Sequence, residues 1–176
     1  AYSSDLGRAI NTARLILANN SEKKKPEIIE LIGLREWGYG GYEGRDDNDL
    51  WIPLYKEVNV KFEKDWSTWD EFTSKMDDKA IADAIAKNDS TKTAETYDQI
   101  LIRSKAAMDQ IIEEATAIGG GKVLVVSHGS EIPTILEMYA PDEYNGEAIG
   151  NVSLSILEYQ NGKFTLKTIG NLDYLK

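Results

Sequence analysis

The sequence has no cysteine and only one histidine, His128, among its 176 residues. The first absence excludes disulfides, thiolate metal sites and a cysteine nucleophile within the chain. The second excludes a site built here from several histidines. No apolar run reaches the roughly 18 residues of a membrane-spanning helix, and no signal-peptide pattern stands at the start. Positive charge is outnumbered: twenty Lys and Arg face thirty Asp and Glu, for a net charge of −10. Such an acidic field repels phosphate backbones and anionic lipid surfaces, so neither a nucleic-acid nor a membrane partner is expected. An anionic small molecule still binds wherever a pocket is locally positive.

What is present fits one globular domain. Apolar residues make up 41% and charged residues 28%, an ordinary balance at a length that can bury a core. The chain begins Ala1-Tyr2-Ser3-Ser4-Asp5-Leu6, with no Met. Ser3, Ser4 and Asp5 can each cap a helix, and Leu6, Ile10, Ala13 and Leu17 follow at helical spacing. The opening therefore reads as a strand end running straight into a helix. Ala1 is expected to be a cut or an ordering boundary rather than a biological start.

Lys23-Lys24-Lys25 reads as a solvated turn. The Ile/Leu-rich stretch Glu27 to Leu34 reads as a strand. Gly33 to Gly44 holds five glycines in twelve residues, a density that marks irregular backbone. Residues 46–92 carry Trp51, Tyr55, Phe62, Trp66, Trp69 and Phe72 among many charges. They are expected to form a helical insertion, with Trp69, Phe72 and Met76 on one helix face and Ile81, Ala84 and Ile85 on another. Such an aromatic stripe is more often core than a binding box. Thr93 to Ile118 keeps a helical period and ends at Gly119-Gly120-Gly121. Val123-Leu124-Val125-Val126 suits a strand buried on both faces of a parallel sheet. A helix is expected from Glu131 to Tyr139. Val152, Leu154 and Ile156 then mark a strand, Asn161-Gly162 a hairpin turn, and Phe164 to Ile169 the returning strand. Helices alternating with apolar strands predict a three-layer α/β domain.

His128 lies directly after a buried strand and before a helix. Ligands bind at the carboxyl ends of strands in open α/β sheets, and a helix N-terminus favours an anion. That position also suits a satisfied structural histidine. Arg8 sits in the first turn of the first helix, where a cation gains nothing from the helix dipole; a bound anion would compensate. Glu36 follows the second strand. Singly, each reads as an ordinary surface or strand-end residue. Together, three strand ends bring Arg, Glu and His to one rim, a set able to clamp a phosphoryl group and protonate a leaving oxygen.

Five segments resemble the histidine phosphatase superfamily, the phosphoglycerate mutase-like proteins. They are Ser3-Ser4-Asp5-Leu6-Gly7-Arg8-Ala9 with Thr12-Ala13, and Leu34 through Gly44. They continue with Glu95 and Arg103 eight apart, Val125-Val126-Ser127-His128-Gly129, and Gly150-Asn151-Val152-Ser153. They occur in family order over nearly the whole chain.

The resemblance implies a mostly parallel sheet with helices on both faces, and phosphate-ester hydrolysis through a phosphohistidine. Residues 1–176 are then one such domain, incomplete at its N-terminus. Arg8 becomes a clamp arginine, His128 the second histidine, and Glu36 the proton donor and later the base for water. Ser4, Tyr39, Gly129 and Ser130 match positions that can line the substrate side. The resemblance implies no metal and no diffusible cofactor. The family's nucleophile belongs to an Arg-His-Gly block. His128 already matches the late block, so that nucleophile is expected upstream of Ala1, and the 176 residues alone are expected to be inactive.

The implied partner is a phosphorylated small molecule or inorganic phosphate, with the upstream segment or a second copy of the chain as possible protein partners. Mutases of the family carry an arginine pair in the insertion; none occurs between Arg45 and Arg103, which favours a phosphatase, although Lys56, Lys61 or Lys64 could substitute. A phosphoglycerate mutase or a non-catalytic anion-binding protein on the same fold are the alternatives. The default compartment is cytoplasmic; a signal peptide ahead of Ala1 would make the protein secreted.

Overall fold

The computed structural model describes residues 1–21 and 24–175. Lys23, in the expected lysine turn, lies outside the described residues. In chain order the regular elements are β1 (Tyr2–Ser3), α1 (Gly7–Ala18), β2 (Ile29–Glu30), α2 (Asp47–Glu57), α3 (Trp69–Thr73) and α4 (Asp78–Asn88). There follow α5 (Tyr97–Ala117), β3 (Val125–Val126), α6 (Glu131–Tyr139), β4 (Leu154–Gln160) and β5 (Lys163–Asn171). No helix among the described residues is long and apolar enough to cross a membrane. The chain forms two units, residues 1–36 with 103–176, and residues 37–102.

The first unit is α/β. Its sheet has the order β2-β1-β3, with both pairings parallel. Tyr2 faces Ile29 and Val125; Ser3 faces Glu30 and Val126. β1 is therefore hydrogen-bonded along both edges and is fully buried. The core combines Tyr2, Leu34, Ala107, Met108, Ile111 and Ile135. In the hairpin, β4 and β5 pair antiparallel. Its turn residues Asn161 and Gly162 have φ of 52° and 81°, the mirror-image turn whose twist suits a two-residue loop.

Several elements differ from expectation. Leu6, not a serine or aspartate, takes the cap position of α1, and its N–H donates to Ser4 Oγ at 3.2 Å. The buried face of α1 is Ala9, Ala13 and Leu17; Ala13 and Leu17 are as expected, and Ala9 rather than Ile10 completes the face. The strand expected over 27–34 stops at Glu30, and Ile32–Leu34 forms a 3-10 turn. Gly33 explains the change: a Cβ there would stand 2.3 Å from the Arg103 carbonyl oxygen, so the loop rests directly on α5. The long helix starts at Tyr97 rather than Thr93, because Thr93 and Ala94 spend their N–H groups on the Asp89 carboxylate. β3 is half-buried rather than buried on both faces, being an edge strand of its sheet. Val152 is not in β4; its φ of 55° places it in a turn.

The second unit is helical and contains residues 46–92. Leu54, Tyr55, Phe72, Ile81, Ile85 and Ile100 are nearly or wholly buried in its core. The Tyr55 and Phe72 rings stack at 4.1 Å, and Trp51 meets Trp66 and Trp69 edge-on at 5.5 Å each. The aromatic stripe is thus packing. Met76 lies beyond α3, which ends at Thr73, yet is buried with it. Asp89 anchors the glycine-rich turn: its carboxylate accepts from the N–H groups of Gly41, Thr91, Thr93 and Ala94 at 2.8–3.1 Å. Burial pushes that carboxyl up, but these donors and the Thr91 hydroxyl prevail and hold it well below the ordinary range.

Candidate active site

The site in the first unit grows from the carboxyl ends of the three parallel strands. After β1 the chain turns at Ser4-Asp5 into α1, which presents Arg8. After β3 comes His128, and after β2 the 3-10 turn delivers Glu36. Arg8 Nε donates to His128 Nδ1 at 3.1 Å. His128 is only 7% exposed, and its Nε2 has no hydrogen-bond partner among the described residues. Because Nδ1 accepts, the neutral ring carries its proton on Nε2. Burial, then the charges of Arg8 and Arg103, push the imidazole down to about 4. The ring therefore presents a buried N–H donor, unpaired among the described residues, beside an arginine. A buried donor without an acceptor is costly, and an anion would supply one.

Glu36 occupies the start of α6. Its carboxylate accepts from Ser130 N–H at 3.1 Å and Glu131 N–H at 3.2 Å. The free N–H groups expected to receive an outside anion are thus met by the protein's own carboxylate, a favourable place for negative charge. Gly129 lies alongside, with the Cβ position only 3.7 Å from Glu36 Oε2. Ser4 is fully buried, and its hydroxyl receives the Leu6 N–H. Tyr39 belongs to the second unit, where it borders a cavity of about 270 Å³ with Tyr42, Arg45, Asp46, Leu50 and Trp51. The other six residues named from sequence, Ser4, Arg8, Glu36, His128, Gly129 and Ser130, all lie in the first unit.

Five further residues shape the site. Arg35 forks onto Asp5, with Nε to Oδ1 at 2.7 Å and Nη2 to Oδ2 at 2.5 Å. This pair joins the loops after β1 and β2, and the guanidinium holds the Asp5 carboxyl below its usual range. Arg103 donates to the carbonyls of Gly33, Arg35 and Glu36 at 2.9–3.1 Å, and to Glu131 Oε2 at 3.1 Å. Glu131 is wholly buried and also accepts from the Ser104 hydroxyl at 2.5 Å. Its burial pushes the carboxyl up to about 8, against the pull of Arg103 and Ser104. The available signal was a polar residue in an apolar phase. Ser104 falls on the stripe Ile100, Ala107, Met108 and Ile111, and Glu131 on the buried face with Thr134 and Ile135.

A family model described as histidine phosphatase superfamily (branch 1) matches residues 1–172. The chain belongs to that superfamily. It is 27% identical over 176 residues to phosphoglycerate mutase-like protein 4 of Arabidopsis thaliana, covering 99% of this chain and 65% of that protein. The chain thus spans about two thirds of the length of this curated relative. The crystal structure of phosphoglycerate mutase from Bacillus anthracis str. Sterne is similar at a TM-score of 0.85 and 36% identity, over 99% of this chain and 73% of that one. A mycobacterial glucosyl-3-phosphoglycerate phosphatase in complex with inorganic phosphate shares the fold at a TM-score of 0.62 and 17% identity, over 97% and 75%. Solved structures of this fold thus include a mutase and a phosphatase, and the α/β class with a mostly parallel sheet agrees with the sequence expectation.

Proposed function

We propose that the protein carrying this chain hydrolyses phosphate monoesters of small molecules. The observation that carries the reading is the buried His128 Nε2, without a partner among the described residues and flanked by Arg8. Arg8 and His128 bind the phosphoryl oxygens. A histidine outside these 176 residues attacks phosphorus; the bond to the ester oxygen breaks, and Glu36 in its acid form protonates that oxygen. Water then adds to phosphorus, Glu36 takes its proton, and the P–N bond breaks to give inorganic phosphate. Ser130 and Gly129 line the substrate side.

Phosphoryl transfer between positions of a phosphoglycerate is the second reading, favoured by the 36% identity to a phosphoglycerate mutase. The lack of any arginine between Arg45 and Arg103 supports hydrolysis instead. Phosphorus NMR of the full-length protein with a phosphoglycerate separates the two. Inorganic phosphate accumulates under hydrolysis, and an isomeric ester appears without it under transfer. Binding of phosphate with neither product identifies a non-catalytic anion binder. Glu36→Gln should slow hydrolysis by about a hundredfold for alkyl phosphates and far less for p-nitrophenyl phosphate. Equal slowing of both esters contradicts the proton-donor role.

A further inference from the structure

The geometry points to Glu131 as a positioning residue for Glu36, an inference that rests on the hydrolytic reading above. Glu131 meets Glu36 from two directions. Its own N–H donates to the Glu36 carboxylate at 3.2 Å. Its side chain fixes Arg103, whose Nη2 donates to the Glu36 carbonyl at 3.1 Å. The same guanidinium, through Nη1, takes the carbonyls of Gly33 and Arg35, so one planar group sets the path of the whole loop 33–36. Ser104 completes the ring by donating to Glu131 Oε1 at 2.5 Å. From the β3 end, Ser127 Oγ holds the Leu34 carbonyl at 2.9 Å.

The chemistry explains why a carboxyl group is used. A guanidinium donating to three carbonyls still turns an N–H toward the interior, and a buried donor without an acceptor is costly. Glu131, wholly buried on α6, supplies that acceptor, at 3.1 Å from Arg103 Nη1, from the helix whose first N–H groups hold the Glu36 carboxylate. A single residue therefore ties the backbone of the loop and the side chain of the proton donor to one rigid helix. Proton donation is sensitive to the placement of the acid on the scale of an ångström, and this ring sets that placement.

The test uses the full-length protein, a series of esters from p-nitrophenyl phosphate to an alkyl phosphate, and hydrogen exchange at residues 33–36. Glu131→Gln should lower kcat for the alkyl phosphate by about tenfold to a hundredfold. KM should stay within about twofold, and p-nitrophenyl phosphate turnover should be nearly unchanged. The amides of 33–36 should exchange faster. Combined with Glu36→Gln, Glu131→Gln should cost nothing more, since the group it positions is already lost. Slowing that ignores the leaving group, or losses that multiply in the double variant, would overturn the proposal. If Glu131→Gln does not fold, Ser104→Ala replaces it, with the same pattern at lower amplitude expected and parent-like behaviour overturning it. A parent protein that hydrolyses no ester defeats the hydrolytic reading. Exchange then decides alone: faster exchange at 33–36 keeps Glu131 as the loop anchor, and unchanged exchange removes it.

Discussion

The two units bury different things. In residues 37–102 the interior is rings: Tyr55 and Phe72 are at most 1% exposed, and the tryptophans pack edge-on around them. Asp89 is the buried acid there, and backbone N–H groups surround it. In the first unit the interior is partly ionic and polar. Ser4, Ser104, His128, Glu131 and Thr134 are all buried, around Arg103 and next to Arg8. Apolar packing stabilises without regard to direction. Buried polar groups contribute little net stability but fix directions, because each is expensive unless its partners stand where they should. The difference separates a unit built for packing from one built for placement.

The largest expected effect tests the packed side. Phe72→Ala should cost about 3–5 kcal/mol in urea unfolding followed by tryptophan fluorescence, which reports the second unit because all four tryptophans lie within it. A loss below about 1 kcal/mol would mean that the aromatic cluster is not the packing centre. On the placement side, Arg8→Ala should weaken inorganic phosphate binding by about 2 kcal/mol, roughly thirtyfold, in calorimetry. Unchanged affinity would remove Arg8 from the site.

A pH series compares the two buried ionisable groups of the first unit. His128 is pushed down to about 4 when folded, so the unfolded chain takes the proton more readily. Its contribution to stability is complete above its ordinary unfolded value and is lost as pH falls toward 4. Glu131 runs the other way. Raised to about 8, it contributes fully below the ordinary carboxylate range and loses that contribution as pH rises toward 8. Unfolding midpoints should therefore respond less to acid in His128→Asn and less to mild base in Glu131→Gln. Parent-like slopes in both variants would show that neither group titrates as its surroundings dictate. The smallest effect is expected at Leu154, 47% exposed on β4, where Leu154→Ser should change stability by no more than about 0.5 kcal/mol.

Much of the frame was legible in the sequence because it depends on short-range signals. Glu131 to Tyr139 was expected as a helix and is one; Asn161-Gly162 was expected to turn and does. Arg8, Glu36 and His128 could be assigned to strand ends because helices and strands alternate regularly. The rest depends on partners distant in sequence. Nothing near Gly33 announces that its Cα must lie against the Arg103 carbonyl of α5, so the expected strand ran four residues too far. Leu6 replaces the expected cap because the Ser4 hydroxyl is already turned toward its N–H. The anion at the start of α6 is Glu36, 94 residues away in sequence from Ser130, and no local pattern carries that information. Ser104 and Glu131 were detectable as polar residues in apolar phase, but their pairing appears only once α5 and α6 meet.

The most direct test of a phosphate site at His128 is to titrate inorganic phosphate into the nitrogen-15-labelled full-length protein and follow the imidazole assigned through His128→Asn. A saturable shift of Nε2 is expected, together with a rise of the imidazole pKa from about 4, because a bound anion accepts the Nε2 proton and favours the charged ring. The shift should vanish in Arg8→Ala. An imidazole indifferent to saturating phosphate would contradict the site.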